Sequence, residues 1–174
     1  MNDMSERRLV APATPVPPGP GMLRKEQSHT GYVTNDLDRA MDLFRERYGV
    51  GEFTFIEGPM PQGGTIRVAF AWAGSQIYEI IEASGPDTEF YNDLLPKDEF
   101  AVRFHHLGFV IHDAASWREL ETEIATGQWQ VAYSTVTGDF IDAYYVYAPE
   151  LGHHLEYVWP HEAGLNFYAA VPVN

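Results

Sequence analysis

The chain of 174 residues contains no cysteine. This absence excludes disulfide bonds, thiolate zinc sites and thiol nucleophiles, and it argues against a secreted, disulfide-held fold. Long apolar runs are also lacking. The segment after Arg7 and Arg8 is interrupted by too many prolines for a signal-peptide core or a membrane helix. We therefore expect a cytoplasmic protein without a membrane partner.

Basic residues are scarce. Eleven Lys and Arg face twenty-five Asp and Glu, which gives a formal net charge of −14. A field of this sign repels phosphate backbones, so nucleic acid is not an expected partner. The sequence also has no glycine-rich phosphate loop and no Gly-x-Ser-x-Gly turn, which argues against nucleotide binding and serine hydrolysis.

Aromatic residues are plentiful. The chain has ten Phe, ten Tyr and four Trp, within a composition that is 45% apolar and 21% charged. This composition is typical of a globular domain. Rings at this density would line an internal cavity, which favours a small organic substrate with apolar surface.

The order of predicted elements divides the chain into five segments. Prolines predict an extended N-terminal arm, and strand and helix patterns then predict two βαβββ modules joined by a connector and followed by a tail. The segments are the arm (1–26), the first module (27–84), the connector (85–103), the second module (104–160) and the tail (161–174). Phe167 and Tyr168 indicate that the tail packs on the domain. The predicted class is α+β.

Both modules begin with a strand and a capped helix. Asp36 and Asp113 stand where an N-cap is expected, and Gly49 and Gly127 stand where each helix should end. The predicted strands are 28–35, about 52–57, 65–73 and 76–82 in the first module, and 104–112, about 129–136, 140–147 and 153–159 in the second.

An internal repeat relates the modules. Residues 29–36, HTGYVTND, match residues 106–113, HLGFVIHD, at His, Gly, Val and Asp, with an offset of 77. The same offset carries Glu79 onto Glu156, and both glutamates lie in apolar strand contexts. Each module therefore contributes one histidine from its first strand and one glutamate from its last.

These four residues predict a metal site. Side chains alternate between the faces of a strand, so a curved sheet in each module can point its His and Glu inward. Two imidazoles and two carboxylates suit a divalent ion such as Fe, Mn, Co, Ni or Zn. The predicted ligands are His29, Glu79, His106 and Glu156. A six-coordinate ion would keep two positions for water or substrate.

The sequence resembles the vicinal oxygen chelate superfamily, which includes glyoxalases, bleomycin-resistance proteins and dioxygenases. The likeness covers nearly all of residues 29–159 and is carried by HTGYVTNDLDRAMDLF with the following YGV, IYEIIE, FHHLGFVIHD and APELGHHLEYV. The resemblance implies paired βαβββ modules that form a cupped sheet around a divalent metal. It also implies ligands at the same four positions that the repeat predicts.

Other polar residues near these motifs are candidates for the same cup. We expect the ligand at His106, with His105 on the opposite face because it is one residue out of phase. His154 shares a face with Glu156 and is a candidate for substrate contact. Arg67, and Tyr144 or Tyr145, could orient an anionic or carbonyl-bearing substrate.

Three functions follow from this site. The first is a metal-dependent lyase or isomerase in which Glu156 or Glu79 moves a proton of a small carbonyl compound. The second is an extradiol-type Fe(II) dioxygenase. Such enzymes use two histidines and one carboxylate, which leaves three metal positions open, so a fourth ligand at Glu79 argues against this function. The third is a non-catalytic binding or resistance protein. The resemblance also implies a homodimer, for which we expect each site to lie within one chain.

Overall fold

The computed structural model of the protein describes residues 18–174. Its strands are β1 (Glu26–Thr34), β2 (Thr54–Pro59), β3 (Thr65–Ala73), β4 (Gln76–Ser84), β5 (Val102–Val110), β6 (Val131–Val136), β7 (Ile141–Ala148) and β8 (His153–Pro160). The helices are α1 (Leu37–Leu43), which continues as a π-helical turn over Phe44–Tyr48, α2 (Glu89–Asn92), α3 (Ala114–Thr126) and α4 (Glu162–Ala169).

All eight strands form one mixed sheet in the order β2-β3-β4-β1-β5-β8-β7-β6. Within each module the first strand runs parallel to the last, as β1 does to β4 and β5 to β8. The two modules join where β1 pairs antiparallel with β5. The prediction of an α+β protein built from two βαβββ modules is therefore confirmed.

Helices α1 and α3 cover the convex face of the curled sheet. Both predicted N-caps are present, since Asp36 accepts a hydrogen bond from the Arg39 amide and Asp113 accepts from the Ala115 and Ser116 amides. Each helix buries an apolar stripe against the sheet. The stripe residues are Leu37, Ala40 and Met41 in α1, and Trp117, Leu120 and Ile124 in α3. No helix in residues 18–174 has the length and apolar character that a membrane span requires.

Helices α2 and α4 pack against the concave face instead. Phe90 of α2 lies 5.0 Å from Tyr145 of β7, and Phe167 of α4 lies 5.1 Å from Phe70 of β3, measured between ring centroids. The tail thus packs on the domain, as its aromatic residues predict. Beyond α4, Val173 forms a bridge with Trp72 of β3.

The end of the predicted N-terminal arm, residues 18–26, is packed on the domain in the structure. Residues 1–17 lie outside the described part of the chain. Met22 is buried and its carbonyl accepts a hydrogen bond from Tyr157, and the arm's last residue, Glu26, already belongs to β1. The Gly21 amide donates to Glu123 of α3. Residues before β1 therefore pack against the second module, because backbone and side-chain groups there find partners on α3 and β8.

Candidate metal centre

Four buried side chains meet at the base of the cup, and they are the four that the repeat predicts. One ligand atom from each of His29, Glu79, His106 and Glu156 lies within 4.8 Å of all the others. The two imidazole Nε2 atoms are 3.1 Å apart. The Glu156 Oε2 atom is 2.5 Å from Nε2 of His29 and 3.2 Å from Nε2 of His106. The Glu79 Oε2 atom is 2.9 Å from Nε2 of His106.

The sheet order explains this convergence. The four residues lie on β1, β4, β5 and β8, which are the four central strands of the sheet. Strand alternation then directs each side chain to the concave face. A single chain supplies all four groups, because the β1–β5 pairing brings the modules together.

Two glycines make room for the histidine rings. Gly31 is the cross-strand partner of His106, and Gly108 is the partner of His29. A Cβ atom added at either glycine would overlap the imidazole of the partner residue. The matched glycines of the repeat are therefore required by the site, because each module's glycine receives the other module's ring.

The donor set fits a divalent cation. Ligand atoms about 2.1 Å from one ion stand roughly 3–4 Å apart, which is close to the spacing of these four atoms. Among residues 18–174, the buried Glu79 Oε2 atom has no hydrogen-bond partner of acceptable geometry, although it lies close to His106. A bound cation would satisfy a buried carboxylate oxygen of this kind.

In the metal-free protein, a proton on His106 can balance part of the negative charge of the two glutamates. Burial opposes the charged form of His106, but the negative charges of Glu156 and Glu79 beside its ring raise its pKa to about 9. Burial would raise the pKa of Glu156, yet the charges of His106 and His29 lower it well below its usual range. The pair is therefore an imidazolium beside a carboxylate near neutral pH.

A cavity of about 300 Å³ opens above the two glutamates. Most of its wall is apolar or aromatic, and among the described residues that line it there is no Lys or Arg. The walls come from both modules and from the two concave-face helices. Its aromatic lining residues are Phe70, Tyr91, Tyr133, Phe140, Tyr145 and Tyr168.

Contacts across the mouth bring the two outer edges of the sheet together. Gln62, in the turn between β2 and β3, donates from Nε2 to the Ser134 carbonyl of β6. Its Oε1 atom accepts a hydrogen bond from Tyr133. The cup is therefore enclosed on this side as well as by α2 and α4.

The structure does not bring Arg67 or Tyr144 to the cavity. Arg67 forms ion pairs with Asp38 and Glu82 on the convex face. It lies opposite Glu82 in the β3–β4 register. Glu82 is three residues after Glu79, so its side chain and that of Arg67 point to the face opposite the Glu79 side chain. Tyr144 stacks on Trp117 of α3 at a centroid distance of 5.0 Å. Its neighbour Tyr145, directly opposite Glu156, lines the cavity instead.

The histidines beside the ligands also differ from expectation. His105 is fully buried and lies beside His106, with their Nδ1 atoms 3.0 Å apart, so the prediction that it faces away is wrong. His154 stacks on His105 at 4.8 Å and is not among the residues that line the cavity. Burial lowers the pKa of His105 to about 3 and that of His154 to about 4, so both rings are neutral.

Tyr145 is the cavity residue that the sequence left undecided. Burial, followed by the charge of Glu156, raises its pKa well above the usual value. The phenol therefore keeps its proton and can donate a hydrogen bond toward Glu156 or toward a bound oxygen atom. Alternation within β7 offers Tyr144 or Tyr145, and only the β7–β8 register decides between them.

The fold and site define a class of paired βαβββ proteins with a two-histidine, two-glutamate centre. No family profile and no curated protein matches the sequence. Among solved structures, a methylmalonyl-CoA epimerase in complex with methylmalonyl-CoA and NH4+ is 18% identical, with a TM-score of 0.58 over 80% of this chain and 96% of that one. Methylmalonyl-CoA epimerase from Mycobacterium tuberculosis is 16% identical, with a TM-score of 0.55 over 83% and 92%.

A hypothetical protein from Bacillus halodurans is similar at 14% identity, with a TM-score of 0.57 over 79% of this chain and 96% of that one. At these identities the likeness establishes the fold. The chain shares the fold of these structures, and its paired βαβββ modules are the architecture that the resemblance in its motifs implies.

Proposed function

We propose that the protein is a divalent-metal-dependent isomerase or lyase that transfers a proton on a small, largely apolar carbonyl compound. One observation carries the proposal: two buried carboxylates that line an apolar cavity converge with two buried imidazoles. Such a cavity excludes water and strengthens electrostatic interactions at its base. The solved structures of this fold that are named as epimerases support the isomerase side of the proposal.

A divalent ion held by His29, Glu79, His106 and Glu156 would polarise a carbonyl or enediolate oxygen. The chain's own groups would then handle the proton. Glu79 is the better candidate base, because its Oε2 atom lacks a hydrogen bond of acceptable geometry within the described part of the chain, whereas Oε2 of Glu156 is bonded to His29. Glu79 also lines the cavity, so a shift of its side chain would bring the carboxylate to a bound substrate.

The cavity wall indicates what the substrate resembles. Tyr91, Tyr145 and Tyr168 place phenol groups near the glutamates, and burial raises the pKa of each phenol, so all three keep their protons. The remaining wall is apolar rings and aliphatic side chains. A ring-bearing or branched carbonyl compound with few charges would match this surface.

Exchange of substrate hydrogen with solvent tests the proposal. Metal-loaded protein in D2O, with a panel of aromatic and aliphatic hydroxycarbonyl compounds and methylmalonyl-CoA, should show metal-dependent deuterium incorporation next to the carbonyl by NMR. Chelation and the Glu79→Gln change should each abolish incorporation. The exposed Glu119→Gln change on α3 is the matched control and should have no effect.

Other outcomes would contradict the proposal. Full exchange activity in both Glu79→Gln and Glu156→Gln would remove the carboxylates from the chemistry. Oxygen uptake with catechols that survives Glu79→Ala would favour a dioxygenase. Metal-free purified protein that binds aromatic ligands tightly, without turnover, would favour a binding or resistance protein.

A further inference from the structure

The residue before each ligand histidine lies at a break in the β1–β5 ladder. On β1, Gln27 and His29 pair with the consecutive residues Phe109 and Gly108, so Ser28 has no opposite residue. On β5, Phe104 and His106 pair with the consecutive residues Tyr32 and Gly31, so His105 is the extra residue there. The repeat offset of 77 relates Ser28 to His105, and the two irregularities are therefore symmetric.

An extra residue in one strand redirects side chains out of the normal alternation. As a result, Ser28 and His105 both reach the ring of the ligand that follows them. The Ser28 Oγ atom is 2.9 Å from Nδ1 of His29. The Nδ1 atom of His105 is 3.0 Å from Nδ1 of His106. In each module the nitrogen that faces away from the site thus has a partner from the preceding residue.

The proton positions follow from the carbonyl of Phe90. It lies 3.1 Å from Nε2 of His105, and a carbonyl can only accept, so Nε2 of His105 carries the proton. In the neutral ring Nδ1 of His105 is then a bare acceptor. It can be satisfied by the Nδ1 proton of His106, so Nε2, which is directed at the ligand cluster, is the nitrogen that becomes bare when His106 loses a proton on metal binding.

We propose that Ser28 and His105 are positioning residues that hold the Nδ1 protons of His29 and His106, so that in the metal-bound protein the lone pair of each Nε2 atom is free for the ion. This inference rests on the metal site of the proposed function. His105 is the stronger of the two positioning residues, because it is fully buried and anchored to the α2 backbone. Ser28 is only partly buried and its hydroxyl can rotate.

The test measures zinc affinity and tautomer state rather than turnover. His105→Phe keeps a ring in place but removes the Nδ1 acceptor. It should weaken zinc binding by about 100-fold, as measured by competition with a chelator. His105→Asn places an amide oxygen near the former Nδ1 position and should restore most of the affinity. Ser28→Ala should cost about 10-fold.

His154→Phe is the matched control, since His154 stacks on His105 without bonding either ligand histidine, and it should leave zinc affinity unchanged. In zinc-loaded wild-type protein, long-range proton–nitrogen NMR should show the His106 proton on Nδ1 and the His105 proton on Nε2.

Wild-type zinc affinity in His105→Phe, or a His105 proton on Nδ1, would overturn the inference while leaving the metal site intact. Failure of the wild-type protein to bind any divalent ion would overturn the proposed function as well. A loss in His105→Phe that His105→Asn does not restore would assign the effect to packing, and would also overturn the inference.

Discussion

The two modules contribute the same residue types to the site but hold them differently. In the second module, Glu156 Oε2 is hydrogen-bonded to His29, and His106 is fully buried against His105. In the first module, Glu79 Oε2 lacks a hydrogen bond of acceptable geometry to any described residue, and Nδ1 of His29 has the Ser28 hydroxyl as its partner. The ligands of the second module, His106 and Glu156, are therefore held more firmly than those of the first, His29 and Glu79. The looser carboxylate is the one that we expect to move.

The largest expected effect tests what the modules share. Gly31→Ala and Gly108→Ala would each force a Cβ atom into a ligand ring, so both should abolish tight metal binding and lower the free energy of unfolding by about 1–3 kcal/mol. Chelator competition and denaturant unfolding measure the two effects. Gly51→Ala, where an added Cβ meets only an ordinary contact, should be close to neutral. Tight metal binding by either site variant would break the proposed symmetry.

Next in size is the difference between the carboxylates. Glu156→Gln should weaken metal binding by about 100-fold or more, because it removes a ligand and disrupts bonds to buried imidazoles. Glu79→Gln should weaken binding less, by about 10-fold, but should abolish proton exchange. Titration calorimetry and deuterium exchange on the same two proteins separate these effects. Equal losses of affinity would contradict the assignment of Glu79 as the looser ligand.

A smaller effect concerns the proton on His106. Its pKa is about 9 in the metal-free protein, so the ring is charged at pH 7 and must lose a proton to bind metal. Metal binding should release about one proton at pH 7, and affinity should rise with pH until about pH 9. Calorimetry in buffers of different ionisation enthalpy measures the release. A heat of binding that is the same in every buffer would show that His106 is already neutral.

The same pKa has a consequence for the metal-free fold. The folded pKa of His106 lies above the ordinary value of 6.5, so protonation stabilises the folded state. This contribution is fully present below pH 6.5 and is lost as the pH rises through about 9. Unfolding of chelated protein at pH 6 and pH 9.5 should show the folded state weaker at the higher pH.

The smallest effects are expected on the convex face. Arg67→Met in the first module and Tyr144→Phe in the second remove contacts to Asp38 and Glu121 that lie away from the cavity. Each change should alter the free energy of unfolding by less than about 1 kcal/mol and leave metal affinity and exchange unchanged. Loss of exchange in either variant would return that residue to the substrate site.

The fold and the four ligands could be predicted because the modules repeat. A matched His, Gly and Glu at one offset is a long-range signal that does not depend on knowing strand pairing. The direction of Arg67 and the choice of Tyr145 over Tyr144 both depend on register with a neighbouring strand. That register is set by packing across the sheet, which the local pattern does not contain.

Two further features could not be predicted from the sequence, because they also depend on how distant strands pair. The position of His105 depends on a one-residue break in the β1–β5 ladder, and simple alternation sends it to the wrong face. The bonds from Gln62 to Tyr133 and Ser134 join residues about 70 positions apart across the mouth. The reciprocal glycines did carry a signal, since Gly31 and Gly108 follow the two histidines at the same spacing.

Anomalous diffraction from crystals grown with Zn2+ or Mn2+ tests the central claim most directly. We expect one peak per chain, about 2.0–2.2 Å from a nitrogen of His29 and of His106 and from an oxygen of Glu79 and of Glu156. A peak bound elsewhere, or no peak at this position in metal-saturated crystals, would contradict it.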